Sequence, residues 1–166
     1  MPELADRPFA VQPGTRRFLD RLSFSPAFGN LGAGKLYAVR AAYHPQRWLG
    51  WEAAIGHNPG RSVHALTHSL DAVLRWPLPG RFQPYAAVGY GMILVFPGEV
   101  LNSDPVTGNL FEAGGGLEIY IRNDLALRFD ARHLSVPGRD AATGGGVSYG
   151  YAQWTAGLAF HRDLSR

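Results

Sequence analysis

Hydrophobic and polar side chains alternate with a period of two in eight stretches of this 166-residue chain: about 21–30, 36–45, 49–58, 62–76, 83–96, 109–121, 125–136 and 149–161. Such alternation between turn signals is the mark of β-strands with two unlike faces. In the fourth stretch His64, Leu66, His68, Leu70, Ala72, Leu74 and Trp76 share one face, and Val63, Ala65, Thr67, Ser69, Asp71, Val73 and Arg75 the other. The sixth sets Phe111, Ala113, Leu117, Ile119 and Ile121 against Glu112, Gly114, Gly116, Glu118 and Tyr120. The seventh sets Leu125, Leu127, Phe129 and Ala131 against Arg128, Asp130 and Arg132. The second and third carry Arg40 and Glu52 opposite an apolar face that includes Tyr43 and Trp51, and the last carries Trp154, Leu158 and Phe160 opposite Tyr151, Gln153, Thr155 and Gly157.

Eight strands of this kind predict an all-β fold, an eight-stranded antiparallel up-and-down barrel. The connections at 44–47, 77–81 and 122–124 are tight, whereas 97–108 and 137–148 are longer and rich in Gly, Pro, Asp, Asn and Ser. Short turns at one end and longer loops at the other fit a transmembrane barrel. Charges of both signs sit on the face that also carries small residues, which suits the crowded inside of a narrow barrel. Buried charges need partners. A polar, charge-paired interior of Arg40, Glu52, Asp71, Arg75, Glu112, Glu118, Arg128, Asp130 and Arg132 is therefore expected, with the apolar face in lipid. Tyr43, Trp51, Trp76, Trp154 and Phe160 are expected as interface aromatics, most of them near the short-turn end.

Composition adds limits. Charged residues make up 17%, below the roughly 25% of soluble domains, with 21 Gly and 12 Pro. The mean hydropathy of −0.11 and the lack of a long apolar run exclude a helical span. Without cysteine there are no disulfides, thiolate metal sites or cysteine nucleophiles. The net charge of +3, with Lys35 the sole lysine and the arginines scattered, argues against nucleic acid as a partner. The opening Met1-Pro2-Glu3-Leu4-Ala5-Asp6 lacks the apolar core of a secretory signal, so an exported barrel is expected to have lost its signal in this form. Residues 1–20 read as an irregular periplasmic arm, 21–162 as the barrel and 163–166 as a tail.

Arg21-Leu22-Ser23-Phe24-Ser25-Pro26-Ala27-Phe28-Gly29, Ala42-Tyr43-His44, Leu49-Gly50-Trp51-Glu52-Ala53, Gly114-Gly115-Gly116-Leu117-Glu118 and Leu125-Ala126-Leu127-Arg128-Phe129-Asp130-Ala131-Arg132 resemble the small eight-stranded outer-membrane β-barrel proteins. The class is OmpA/OmpX-like, and the resemblance is greatest to an uncharacterised group common in myxobacteria. It implies the outer membrane of a Gram-negative envelope. Such barrels usually end on an aromatic residue read by the insertion machinery. Trp154, Leu158 and Phe160 match that pattern, but 161–166 run past it.

One motif resembles chemistry. His133-Leu134-Ser135 is similar to the His-x-Ser pair of outer-membrane lipid A deacylases, whose His would be the base and Ser the nucleophile toward a lipid ester. Val136 stands where an oxyanion-binding Asn is expected, and 144–151 hold no carboxylate to orient the histidine, Asp140 being the nearest. His64 and His68 share a face but lie ~13 Å apart, while His57 can approach His64 across a short loop. Gly144-Gly145-Gly146 lacks the Lys-Ser/Thr of a phosphate loop, and Asn102-Ser103-Asp104-Pro105 lacks the carboxylates of a calcium site. No cofactor and no metal site are expected.

The reading is a non-enzymatic outer-membrane barrel with a filled lumen, serving as anchor or interaction subunit. Expected partners are outer-membrane lipid and lipopolysaccharide, and envelope proteins met through 1–20 or the loops 97–108 and 137–148. One alternative is a deacylase-like esterase using His133 and Ser135. Another is a soluble lipocalin-like carrier with the apolar faces inward.

Overall fold

The alternating stretches form eight strands: β1 (Arg21–Leu31), β2 (Gly34–His44), β3 (Leu49–Pro59), β4 (Val63–Arg75), β5 (Phe82–Pro97), β6 (Val106–Arg122), β7 (Leu125–Arg139) and β8 (Gly146–Asp163). The structure, a computed structural model, describes residues 11, 13–60, 63–97, 104–139 and 144–164. Each strand pairs antiparallel with its sequence neighbours, and β1 closes on β8. Followed round the wall by register, Leu22 leads through Tyr43, Trp51, Ala72, Val88, Ala113, His133 and Ala152. The circuit returns to β1 at Gly32, whose amide donates to the Ala152 carbonyl at 2.8 Å. One turn has climbed from residue 22 to residue 32. Eight strands with such a stagger tilt by roughly 40° and leave a lumen just wide enough for side chains to fill.

The two faces divide as the alternation requires. Phe28, Leu70 and Trp154 point outward and are 67%, 59% and 62% exposed, whereas Glu52, Asp71 and Glu118 are fully enclosed. A soluble carrier has the reverse arrangement, so the lipocalin-like alternative is set aside.

Strand ends differ from the sequence reading. The stretches 97–108 and 137–148 are partly strand, since β5 pairs with β6 up to Val95–Val106 and β7 with β8 up to Arg139–Gly146. Gly and Pro made these segments read as loops. In a two-stranded projection an outer strand edge has no further partner, so Pro137 costs no ladder bond there, and Val106, Val147 and Tyr149 favour strand. The hairpin β7–β8 therefore projects beyond the wall, because β1 pairs with β8 no further than Gln153. Residues 1–10, 98–103 and 140–143 lie outside the described residues. So do most of the expected arm, Asn102, Ser103 and Asp140.

The seam between β1 and β8 has a gap. Arg21–Phe24 pair with Phe160–Asp163, and Ala27–Leu31 pair with Gln153–Gly157. Ser25 and Pro26 lie between these ladders, and Pro26 has no amide hydrogen to offer. A side chain at Gly157 would strike the Pro26 carbonyl and the Ala27 backbone.

Candidate functional site

The inward positions build three layers along the lumen. At the long-loop end Leu31, Leu36, Leu110 and Leu134 form an apolar cap with Val136 against it. These leucines occupy the face expected to carry charges of both signs with Gly and small residues. They cover the polar interior at that end.

Below the cap lies the main charge cluster. Arg128 clasps Glu52 with two hydrogen bonds of 2.6 and 3.0 Å. Arg132 reaches the same Glu52 at 2.6 Å, and its other terminal nitrogen donates to Asp71 at 2.7 Å and Glu112 at 2.8 Å. Asp130 accepts from Arg128 and, at 2.6 Å, from the Tyr85 hydroxyl. Arg40 completes the group, 3.7 Å from Glu52 and 3.6 Å from Asp130, with Thr155 as a further partner. Bidentate guanidinium–carboxylate pairs are the strong form of this interaction. Inward glycines make the room: a side chain at Gly89 would collide with Asp71, and one at Gly116 with the Tyr85 hydroxyl.

The third layer closes the short-turn end. Arg75 holds Glu118 through two 2.8 Å bonds and donates to His44 Nε2 at 2.7 Å. The Tyr120 hydroxyl bridges Glu118 and His161, each at 3.0 Å. Over this layer sits Phe18, fully buried although it precedes the first strand. It packs with Tyr120, Ala126 and Ala159, and the Arg75 guanidinium lies 4.6 Å from its ring centre. Arg16 stacks on Tyr120 at 3.6 Å, and half-burial holds its pKa below the ordinary arginine value. Asp20 turns the chain into β1 through a positive φ of 51°, a conformation aspartate tolerates. The segment 13–20 is thus a stopper lying on the mouth.

All nine residues expected inside are buried and joined by ion pairs. The sequence reading missed Phe18, His44, Tyr85 and His161 as members of the network. Parity marks His44, Tyr85 and His161 as inward. Phe18 had no periodic neighbours to mark it. Of the aromatics, Tyr43, Trp51, Trp76 and Phe160 lie exposed near the short-turn end. Trp154 is exposed too, but it pairs with Asn30 beside the opposite turn of β1.

The histidine–serine pair does not assemble. Ser135 Oγ is 2.8 Å from Ser148 Oγ, and the His133 ring lies over Gly150 on the neighbouring strand. Among the described residues no hydrogen bond links His133 to Ser135 or to a carboxylate. His57 and His64 do approach, with stacked rings 6.1 Å apart, and among the described residues no group of three potential metal ligands forms.

No family model and no curated protein matches the sequence. Solved structures do match the fold. The N-terminal β-barrel domain of OprF from Pseudomonas aeruginosa aligns at 16% identity and a TM-score of 0.70, covering 87% of this chain and 98% of that one. Neisserial surface protein A aligns at 10% identity and 0.66, covering 84% and 95%. The outer membrane enzyme PagL aligns at 15% identity and 0.50, covering 83% and 98%. The fold is that of the small eight-stranded outer-membrane β-barrels.

Proposed function

We propose that this barrel resides in the bacterial outer membrane as an anchor or interaction subunit, neither conducting solutes nor carrying out catalysis. The carrying observation is the pairing of an apolar outer wall with a lumen occupied from end to end: leucine cap, arginine–carboxylate cluster and Phe18 stopper. Among the described residues, side chains of all three layers fill the lumen, which argues against a solute path. The short turns belong on the periplasmic side and the projecting hairpins outside, following the usual arrangement of such barrels. The exposed aromatics at the short-turn end then lie at the inner interface of the membrane.

The chain refolded in detergent is expected to show a β-type circular dichroism spectrum and a heat-dependent shift on SDS gels. Reconstituted in planar bilayers, it is expected to give no conductance steps. A protein that folds as a monomer without detergent would sink the membrane reading, and steady ion conductance would sink the closed lumen. Ser135→Ala serves against the esterase: purified barrel and variant should be equally silent toward acylated lipid A. Hydrolysis by the parent that the variant loses would install Ser135 as a nucleophile.

The outer wall gives a second check. Leu70 lies mid-strand and points outward. Leu70→Arg is expected to cost about 2–4 kcal/mol of folding free energy in vesicles, the range for arginine near a bilayer midplane. A urea titration that finds less than about 0.5 kcal/mol would place this face in water.

A further inference from the structure

Two hollows meet at the β1–β8 seam on the short-turn side. One is an apolar groove of about 590 Å³ on the outer wall. Its floor is the pair Ala41 and Ala53, which sit side by side in register between Phe24 and Leu70. Trp51 and Phe160 flank it. The other is a polar hollow of about 910 Å³ at the barrel mouth, between the stopper and the β6–β7 turn. Arg162 lines both. It points outward from β8 beside Leu22, with which it pairs.

The polar hollow carries an excess of positive charge. Arg16, Arg17, Arg21 and Arg162 line it, against Asp124 and Asp163. Both acids are already engaged: Asp124 holds Arg122 at 2.8 and 3.0 Å, and Asp163 lies 3.3 Å from Arg21. Arg17 and Arg162 have no ion-pair partner among the described residues. An apolar groove that ends in guanidinium groups without an ion-pair partner among the described residues matches the shape and charge of an anionic amphiphile. Arginine is well matched to phosphate oxygens.

We propose that the groove and the mouth hollow form one site for an anionic glycerophospholipid of the periplasmic leaflet. An acyl chain would lie over Ala41 and Ala53, with the phosphate between Arg17 and Arg162. The inference rests on the membrane placement and short-turn sidedness given above.

The test is native mass spectrometry of the barrel in detergent, with dioleoylphosphatidylglycerol or dioleoylphosphatidylcholine added. Each sample is first checked for heat-dependent gel migration, so that failure to form a membrane barrel is seen separately from failure to bind lipid. The expected result is one retained phosphatidylglycerol in preference to phosphatidylcholine. Arg17→Gln with Arg162→Gln should weaken phosphatidylglycerol roughly 25-fold, on the order of fivefold per arginine near an anionic surface. Ala41→Leu with Ala53→Leu should fill the groove and reduce retention of both lipids. Millimolar inorganic phosphate should leave the bound lipid in place. Equal retention of the two lipids by a folded barrel, or an arginine variant indistinguishable from the parent, overturns the proposal. Displacement of the lipid by phosphate alone would assign the hollow to a free anion instead.

Discussion

Replacing Glu52 with glutamine is expected to lower the stability of the folded barrel by about 3–5 kcal/mol, the cost of breaking a buried ion pair by removing one partner. Glu52 takes hydrogen bonds from Arg128 and Arg132 and neutralises Arg40 as well. The amide keeps the size of the side chain and one acceptor, but it leaves three enclosed guanidinium groups short of a counter-charge. Its NH₂ also turns a donor toward groups that are themselves donors. Urea unfolding in detergent micelles, followed by tryptophan fluorescence, measures the loss. A second substitution, Arg128→Met, should restore part of it in the Glu52→Gln background while being harmful alone. That non-additivity is the sign of direct coupling. A Glu52→Gln barrel within about 1 kcal/mol of the parent would mean that the cluster tolerates a missing charge and adds little to stability.

The second large effect is expected at Phe18. Truncating a buried phenylalanine to alanine costs about 3–5 kcal/mol. Here the loss falls on the docking of a segment, because Phe18 belongs to the stopper and not to a strand. The Phe18→Ala barrel should keep its heat-dependent gel shift while residues 13–20 lift from the mouth. Arg16 and Arg17 then become substrates for trypsin. Cleavage of the transiently opened segment follows its open population, so the variant should be cut roughly 150- to 5,000-fold faster than the parent. Equal cleavage rates, read by mass spectrometry, would show that Phe18 does not hold the segment down.

The wall of this protein was readable because a barrel strand must alternate. Once Arg128, Asp130 and Arg132 shared a parity, with Glu112 and Glu118 on the neighbouring strand doing the same, their common location inside followed. Which acid meets which base was not readable. Arg132 reaches Asp71 and Glu52 on the far side of the lumen, a contact across the barrel that no strand-by-strand pattern contains. The stopper escaped for a related reason. Phe18 is one aromatic in a polar segment, and its burial depends on an opening that exists only after eight strands have closed. The histidine–serine motif shows how little shared parity says about contact. Residues two apart on a strand share a face but stand about 6.6 Å apart. Cross-strand neighbours lie closer, and so Ser135 finds Ser148 and His133 lies against Gly150.

The gap at Ser25 and Pro26 bears on how such a wall comes into being. Seven of the eight joints link strands that follow one another in the chain, and each can zip from its own turn. The eighth brings together residues separated by nearly the whole sequence, such as Leu22 and Arg162, and contacts of that span form late because the intervening chain must first be ordered. The joint that must be made last is therefore also the one that Pro26 interrupts. It consists of two short ladders, one on either side of the proline. Gly157 lets the two backbones come together between them. The same interruption thins the backbone ladder along this line, the one joint of the wall that ties the first strand of the barrel to the last.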